Sequence, residues 1–497
     1  MTEPQAAPAS KIFYELDRDT IQVEDPNAYG PGGFHPVRLG DLLGDDGRFR
    51  VVHKLGDGGW GTVWLCHDKA TGKWRAVKIQ AANASKPEDC PELATVEKFA
   101  KFSWDELASH HVSIPLEHFW LDGPNGRHLC WVMPLYGPRV CSLFGQYAKC
   151  PRILKDICAQ IAAGLDFLHR NGICHGDLRP ENVLLRLVDG ADSLPEEQIL
   201  KVLGPPVLVK VEPIGADQVE PGVPEYLVER TSIECATGLC STRVLITDLG
   251  IAYEIDNPPD FTGIPLPFAA PENVFGGKSI GPATDIWALG VTIQKICADT
   301  LPFGDQHEPR ELTRNLERKL GPMPQPYRRA WGVEGFNFEY TNDADDETQY
   351  VTFLQSELEA EKRAIESFQE DGITDEILMD LVAHPKDLPR LFVSQSQADE
   401  IAKQDPMETG VLPGYSGSMK PWEMPWDDRI EHRNDVEEMK VLRDLLARIY
   451  RWHPEDRPSL DQIADHAFFE EWYDCIPESP LHSVPSFTGL AGCCTIL

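Results

Sequence analysis

The chain has 497 residues, room for one large two-lobed domain or two ordinary ones, and a formal net charge of -34. That charge argues against nucleic acid as a direct partner, because a phosphate backbone would be repelled, and favours basic partners drawn in by an acidic field. Thirteen cysteines, an odd number and mostly scattered, argue for a reducing compartment and against zinc; Met1 to Ser10 lacks a secretory start, and no apolar run approaches the roughly 18 residues of a spanning helix.

In chain order, residues 1–30 are polar and irregular and are expected to be a loose leader. Strand-like runs then flank Leu55-Gly56-Asp57-Gly58-Gly59-Trp60-Gly61-Thr62-Val63, where glycines 56, 58 and 61 let a backbone close over phosphates without obstruction. A lone glycine triplet is weak evidence. It hardens because Ala76-Val77-Lys78 follows on the next strand pattern. Leu129 to Met133 reads as a buried strand running into Pro134-Leu135-Tyr136-Gly137.

Ile153, Ile157, Ile161, Leu165 and Leu168 then form an apolar row at helical spacing. After them comes the loop His175-Gly176-Asp177-Leu178-Arg179-Pro180-Glu181-Asn182, and then Val183-Leu184-Leu185, suited to a buried strand. A second apolar strand, Val244 to Ile246, also ends in an acid and a glycine, at Asp248 and Gly250. Phosphoryl transfer needs a carboxylate beside the attacking hydroxyl and oxygen ligands for magnesium on the phosphates. Asp177 fits the first need; Asn182 and Asp248 fit the second.

A spacer of patchy charge, 187–243, separates these two strands; Val207-Leu208-Val209 and Tyr226-Leu227-Val228 suggest partial order within it. Asp285 opens an apolar helix. Between Glu334 and Asp380 acids dominate, for which a solvated helix and linker is the plainer reading. The chain closes on Cys493-Cys494-Thr495-Ile496-Leu497, which fits a prenylation box at Cys494 but lacks the usual basic stretch upstream.

Found in this order, the motifs resemble those of a protein kinase. Val23-Glu24-Asp25-Pro26 and Gly32 to Asp41 are similar to the leader of the SR-protein kinases, which phosphorylate arginine/serine-rich splicing factors. The resemblance implies an α+β, bilobal kinase-like fold within 31–475: a small β-rich lobe (about 47–133), a hinge (134–137) and a large helical lobe (137–475) carrying the spacer 187–243 and an acidic insert 321–430, followed by a tail, 476–497. ATP and magnesium are the implied cofactors. Gly56, Gly58, Gly61, Val63, Ala76, Lys78, Met133, Pro134 and Tyr136 would contact the nucleotide, Asn182 and Asp248 the metal, and Asp177 would orient and deprotonate the acceptor hydroxyl. Glu97 would pair with Lys78, Glu92 being the weaker candidate, and Glu272 would pair with Arg457. Basic Arg/Ser-rich substrates, a monomer, and a cytoplasmic or nuclear location are expected, with a membrane contact only through a lipid on Cys494.

Three departures qualify the likeness. Gly176 stands where many kinases bind a phosphorylated loop through arginine; the short segment 248–272, with Thr262 as its one obvious acceptor, agrees with a kinase active without that phosphate. Arg179 replaces the usual lysine with a planar fork that still offers charge to the phosphoryl group. Ala269 replaces an arginine beside the acceptor pocket. A catalytically weak scaffold that binds nucleotide is the alternative.

Overall fold

The structure, a computed structural model, describes residues 13–327 and 436–470, less 19, 21, 87–89, 144–150, 216–217, 232–238, 277, 306–308, 322 and 325. The acidic run 334–380 and the tail with Cys494 lie outside the described residues. The chain forms two compact units: Met1–Asp105, Ser113–Pro138 and Leu185–Ser241 make the first, and Glu106–Val112, Arg139–Leu184 and Thr242–Leu497 the second.

The elements begin with β1 (Phe13–Leu16), β2 (Leu42–Leu43), β3 (Phe49–Gly58), β4 (Gly61–Asp68) and β5 (Lys73–Gln80). Helices α1 (Pro91–Phe99) and α2 (Trp104–Ser109) precede β6 (Glu117–Gly123) and β7 (Gly126–Pro134). Then come α3 (Pro151–Arg170), β8 (Ile173–Cys174), β9 (Val183–Leu187), α4 (Glu196–Leu203), β10 (Leu208–Ile214) and β11 (Tyr226–Val228). After β12 (Cys240–Ile246) and β13 (Tyr253–Glu254) the described chain is helical: α5 (Pro271–Phe275), α6 (Pro282–Ala298), α7 (Pro309–Leu320), α8 (Val436–Ile449), α9 (Leu460–Ala464) and α10 (Ala467–Glu470).

The first unit is built on one antiparallel sheet of order β2-β3-β4-β5-β7-β6. Alternate side chains leave a strand on opposite faces, and here both faces are covered. Trp64, Cys66, Val77, Ile79, Cys130 and Val132 pack with Val37 and Leu43 on one. On the other, Leu129 and Trp131 pack with Leu93 and Val96 of α1, and Leu65 and Trp74 with Ile199 of α4. A strand covered on both sides must be apolar throughout, which is why Leu129 to Met133 reads as an unbroken run.

The spacer, counted with the large lobe from sequence, is gathered by its contacts into this first unit. Trp74 Nε1 donates to Leu194 O at 2.7 Å, and Asp192 pairs with Lys73 at 3.0 Å. Residues 13–16 are not loose either. They pair antiparallel with β10, Phe13 opposite Ile214 and Leu16 opposite Val211, and β10 pairs in turn with β11. Tyr14 is buried and its hydroxyl donates to Glu220 at 3.0 Å. The leader acquires order from a partner strand about two hundred residues away, so no local pattern announces it.

In the second unit the expected helical row is α3: Ile157, Ile161, Leu165 and Leu168 are fully buried. Helix α6 is buried almost throughout, and Gly290 explains one close approach: a Cβ there would lie 2.6 Å from Ile449 Cγ2 on α8. Leu442, Leu445, Leu446 and Ile449 complete that layer. Among the described residues no helix is long and apolar enough to cross a membrane.

Candidate active site

In the first unit, strand register assembles the nucleotide-contact residues expected from sequence. Gly56 lies opposite Val63, Val63 opposite Lys78, and Ala76 opposite Met133. Directly paired residues share a face, and so do i and i+2, so Val63, Ala76, Lys78 and Met133 line one face of the sheet. Gly59 and Trp60 turn between Gly58 and Gly61. Only Gly61 of the glycine set is demanded by the protein itself, since a Cβ there would meet Ile79 O at 2.3 Å. At Gly56 and Gly58 a Cβ would find open space, room that a phosphate group could fill. Pro134 closes β7, and the buried Tyr136 hydrogen-bonds Ser113 through its hydroxyl; Gly137 N donates to Leu185 O at 2.8 Å, fixing this stretch against β9.

Helix α1 corrects one expectation. Its buried positions are Glu92, Thr95 and Phe99, spaced i, i+3 and i+7, while Glu97 is exposed. Glu92 is 5 % exposed, in the first turn directly after Cys90. Burial raises the pKa of the Cys90 thiol against hydrogen bonds from the Leu93 and Glu92 backbone; the Glu92 charge adds to the rise and the Lys78 charge opposes it, so both charges are felt at this sulfur. The residue facing inward is thus Glu92. Sequence spacing misjudged it because α1 is short and starts abruptly at Pro91.

In the second unit the loop from His175 to Asn182 is pinned at several points. Asp285 Oδ2 accepts from His175 N at 2.7 Å and Oδ1 from Gly176 N at 2.9 Å, which braces the start of the loop. Burial pushes the Asp285 carboxyl up, but the hydrogen bond and charge of His169 outweigh it and hold the group below its ordinary value. His175 Nδ1 accepts from Asp177 N at 3.1 Å, which leaves Nε2 to donate to Thr247 O at 3.0 Å. Thr247 N in turn donates to Asn182 O at 2.9 Å. The imidazole and these backbone bonds therefore tie the segment that leads from β12 to Asp248 to the loop carrying Asp177 and Asn182.

Asn182 Nδ2 donates to Asp177 Oδ2 at 2.7 Å and to Asp177 O at 2.8 Å. Arg179 Nε lies 3.2 Å from Asp177 Oδ1, which is buried and has no aligned hydrogen-bond donor. Burial raises the Asp177 pKa above the ordinary carboxylate value, against the pull of Arg179, His175 and Asn182. A carboxylate so placed is poised to accept a proton. Asp248 is exposed, at a left-handed φ of +61°, a conformation costly for a non-glycine residue. The amide of Asn182 is committed through its nitrogen, which leaves Oδ1 for a ligand; with the Asp248 carboxylate this is an all-oxygen donor set of the kind magnesium takes.

Thr262, the one obvious acceptor of the short segment, is buried; its N–H and hydroxyl both donate to Asn273 Oδ1, at 2.9 and 3.1 Å. The neighbourhood holds itself together without an added charge. Ala269 is buried. The expected Glu272–Arg457 pair is present, buried and two-pronged, with both N–O distances 2.7 Å.

A model of the protein kinase domain family matches residues 49–191 and 237–469, leaving out most of the spacer. Protein kinase dsk1 of Schizosaccharomyces pombe is 34% identical over 186 residues, 35% of this chain and 34% of that protein. SRSF protein kinase 3 of Mus musculus is 33% identical over 190 residues, 37% and 33% of the two chains. Serine/threonine-protein kinase SKY1 of Saccharomyces cerevisiae is 35% identical over 179 residues, 34% and 24%. The matched stretch spans at most about a third of the length of these relatives.

Proposed function

Since the chain belongs to the protein kinase domain family, we propose that it is an ATP-dependent serine/threonine kinase of SR-protein-kinase type, acting on basic, Arg/Ser-rich protein substrates. The observation that carries this reading is the meeting of Asp177 and Asn182 in one hydrogen-bonded loop, tied through Thr247 to the strand that delivers Asp248.

In this reading the glycine-rich turn and Lys78 take the phosphates of ATP, and Glu92 rather than Glu97 orients Lys78. Val63, Ala76 and Met133 face the base, and Pro134 and Tyr136 meet its edge through backbone groups. Asn182 and Asp248 hold magnesium, which when bound neutralises phosphate oxygens. Asp177 aligns the acceptor hydroxyl and takes its proton, while Arg179 supplies positive charge where the phosphoryl group passes. Catalysis is then mainly positioning and electrostatic neutralisation. The net charge of -34 suits cationic substrates; a monomer in the cytoplasm or nucleus is part of the same proposal. The scaffold alternative is not favoured: the chain matches the protein kinase domain family, and the relatives it resembles are named as kinases.

The test is ATP-dependent labelling of an arginine/serine peptide beside a proline/serine peptide, by wild type and by Asp177→Asn. Labelling of the basic peptide, lost in the variant by about a thousandfold or more, is expected. Wild-type labelling no greater than that of the variant ends the proposal.

A further inference from the structure

We propose that the trio of buried Glu24, buried Lys54 and half-buried Asp57 sets the charge of the glycine-rich loop, and so how strongly that loop favours a nucleotide with phosphates over one without. This rests on the nucleotide reading above.

Lys54 sits on β3 two residues before Gly56, and its side chain is fully buried. Its ammonium meets two carboxylates. One is Glu24 of the leader, whose side chain is 3 % exposed and whose Oε1 accepts from the Tyr29 hydroxyl at 2.5 Å. The other is Asp57, 2.9 Å away through Oδ1. Asp57 stands between Gly56 and Gly58 at the end of β3, paired with Thr62, so its side chain leaves the sheet on the face opposite Val63 and Lys78, just behind the turn expected to close over phosphates. Its Oδ1 has no hydrogen-bond partner, so Lys54 holds it by charge and not by an aligned donor.

The site of the lysine is fixed from two directions. Arg230 N donates to Gln22 O at 2.8 Å, and the next residue, Thr231, donates its N–H to Lys54 O at 3.0 Å. Consecutive spacer residues thus tie the leader, two residues before Glu24, and the backbone of Lys54. With Tyr29 neutral, two acids share one ammonium and the trio carries one net negative charge. An ionised acid just behind a phosphate-holding turn repels its ligand through the sheet, the more so in a low-dielectric setting. Lys54 offsets that repulsion, and Glu24 draws on the same ammonium. Glu24 and Lys54 are therefore positioning residues that act through Asp57.

The experiment titrates the full chain with magnesium-ATP and, in parallel, with uncharged adenosine, and reads the ratio of the two affinities. Lys54→Met is expected to weaken ATP about tenfold while adenosine changes less than about twofold. Adding Asp57→Asn to that variant is expected to restore the ratio. Glu24→Gln keeps the shape and leaves the whole ammonium to Asp57, so it should raise the ratio by about two- to fivefold. A merely structural trio gives the opposite pattern: both ligands weaken together in every variant and Asp57→Asn rescues nothing, which overturns the proposal. Should Lys54→Met fail to fold, Glu24→Gln decides alone, a higher ratio supporting the proposal and an unchanged or lower one ending it. Wild type that binds neither ligand removes the nucleotide reading itself and this inference with it. Wild type that binds both, with the ratio unmoved across the variants, removes this inference only.

Discussion

At Gly176 the backbone runs at φ +78°, and a Cβ would lie 2.7 Å from Ile251 O. The glycine is therefore set by local geometry, with its N–H spent on Asp285, and a side chain reaching toward a phosphorylated segment has no room to start from. Asp177, Asn182 and Asp248 were legible because each sits at a fixed offset within a short motif. The inward acid of α1 was not, because its identity depends on where the helix begins and which face it buries. From that burial pattern, Glu92→Gln is expected to lower kcat/KM for peptide labelling by tenfold or more, roughly what a misplaced phosphate-binding lysine costs. Glu97→Gln, on the exposed face, should stay within about twofold. Steady-state kinetics on the two variants checks the order, and the reverse order would restore Glu97 to the role first expected.

Between elements, the firmest tie is Glu272 at the start of α5 with Arg457 just before α9. Arg457 also donates to Ala283 O at 2.8 Å and to Arg451 O at 3.1 Å, and its guanidinium lies 5.0 Å over the ring of Trp287; Thr284 Oγ1 donates to Glu272 Oε1 at 2.8 Å. Two charges taken fully out of water gain little net stability as a pair, but removing one strands the other. Arg457→Ala is expected to cost about 3–5 kcal/mol in urea unfolding, and Glu272→Met/Arg457→Met less than the sum of its two single changes. Additive costs would mean that the pair acts as two independent anchors. This tie was legible because both residues belong to recognisable motifs. The β1–β10 ladder was legible on one side only: Val207-Leu208-Val209 and Tyr226-Leu227-Val228 mark strand-like pieces of the spacer, where β10 and β11 form, but strand pairing is written in the partner, and the polar leader carries no such mark.

Across the whole molecule, the order of the motifs predicted the two kinds of layer, whereas the assignment of the spacer to the β-rich unit depended on contacts that no local pattern carries. Acidity acts at this scale too. His111 is buried in the second unit at φ +58°; its Nδ1 meets Val244 O at 3.2 Å and its carbonyl accepts from Ile246 N at 2.8 Å, steadying the strand that leads to Asp248. Burial pushes its pKa down to about 4, and burial together with the neighbouring His128 does the same, to about 4, for His35 in the first unit. Both groups are lowered in the folded state, so the unfolded chain binds their protons first, near 6.5, while the folded chain resists until about 4. Stability from each is complete above 6.5 and is lost as pH falls through that window, by about 2 kcal/mol per histidine between pH 7 and pH 5. The carboxylate excess works the other way, since protonating exposed acids relieves the repulsion in a chain of net charge -34. Comparing wild type with one histidine variant separates the two, because the carboxylate contribution is common to both. His111→Asn keeps a side chain that tolerates positive φ and can still donate an N–H to Val244 O. Urea unfolding at pH 7 and pH 5 should show the variant losing about 2 kcal/mol less than wild type over that interval, and equal losses would mean that His111 already carries its proton when folded.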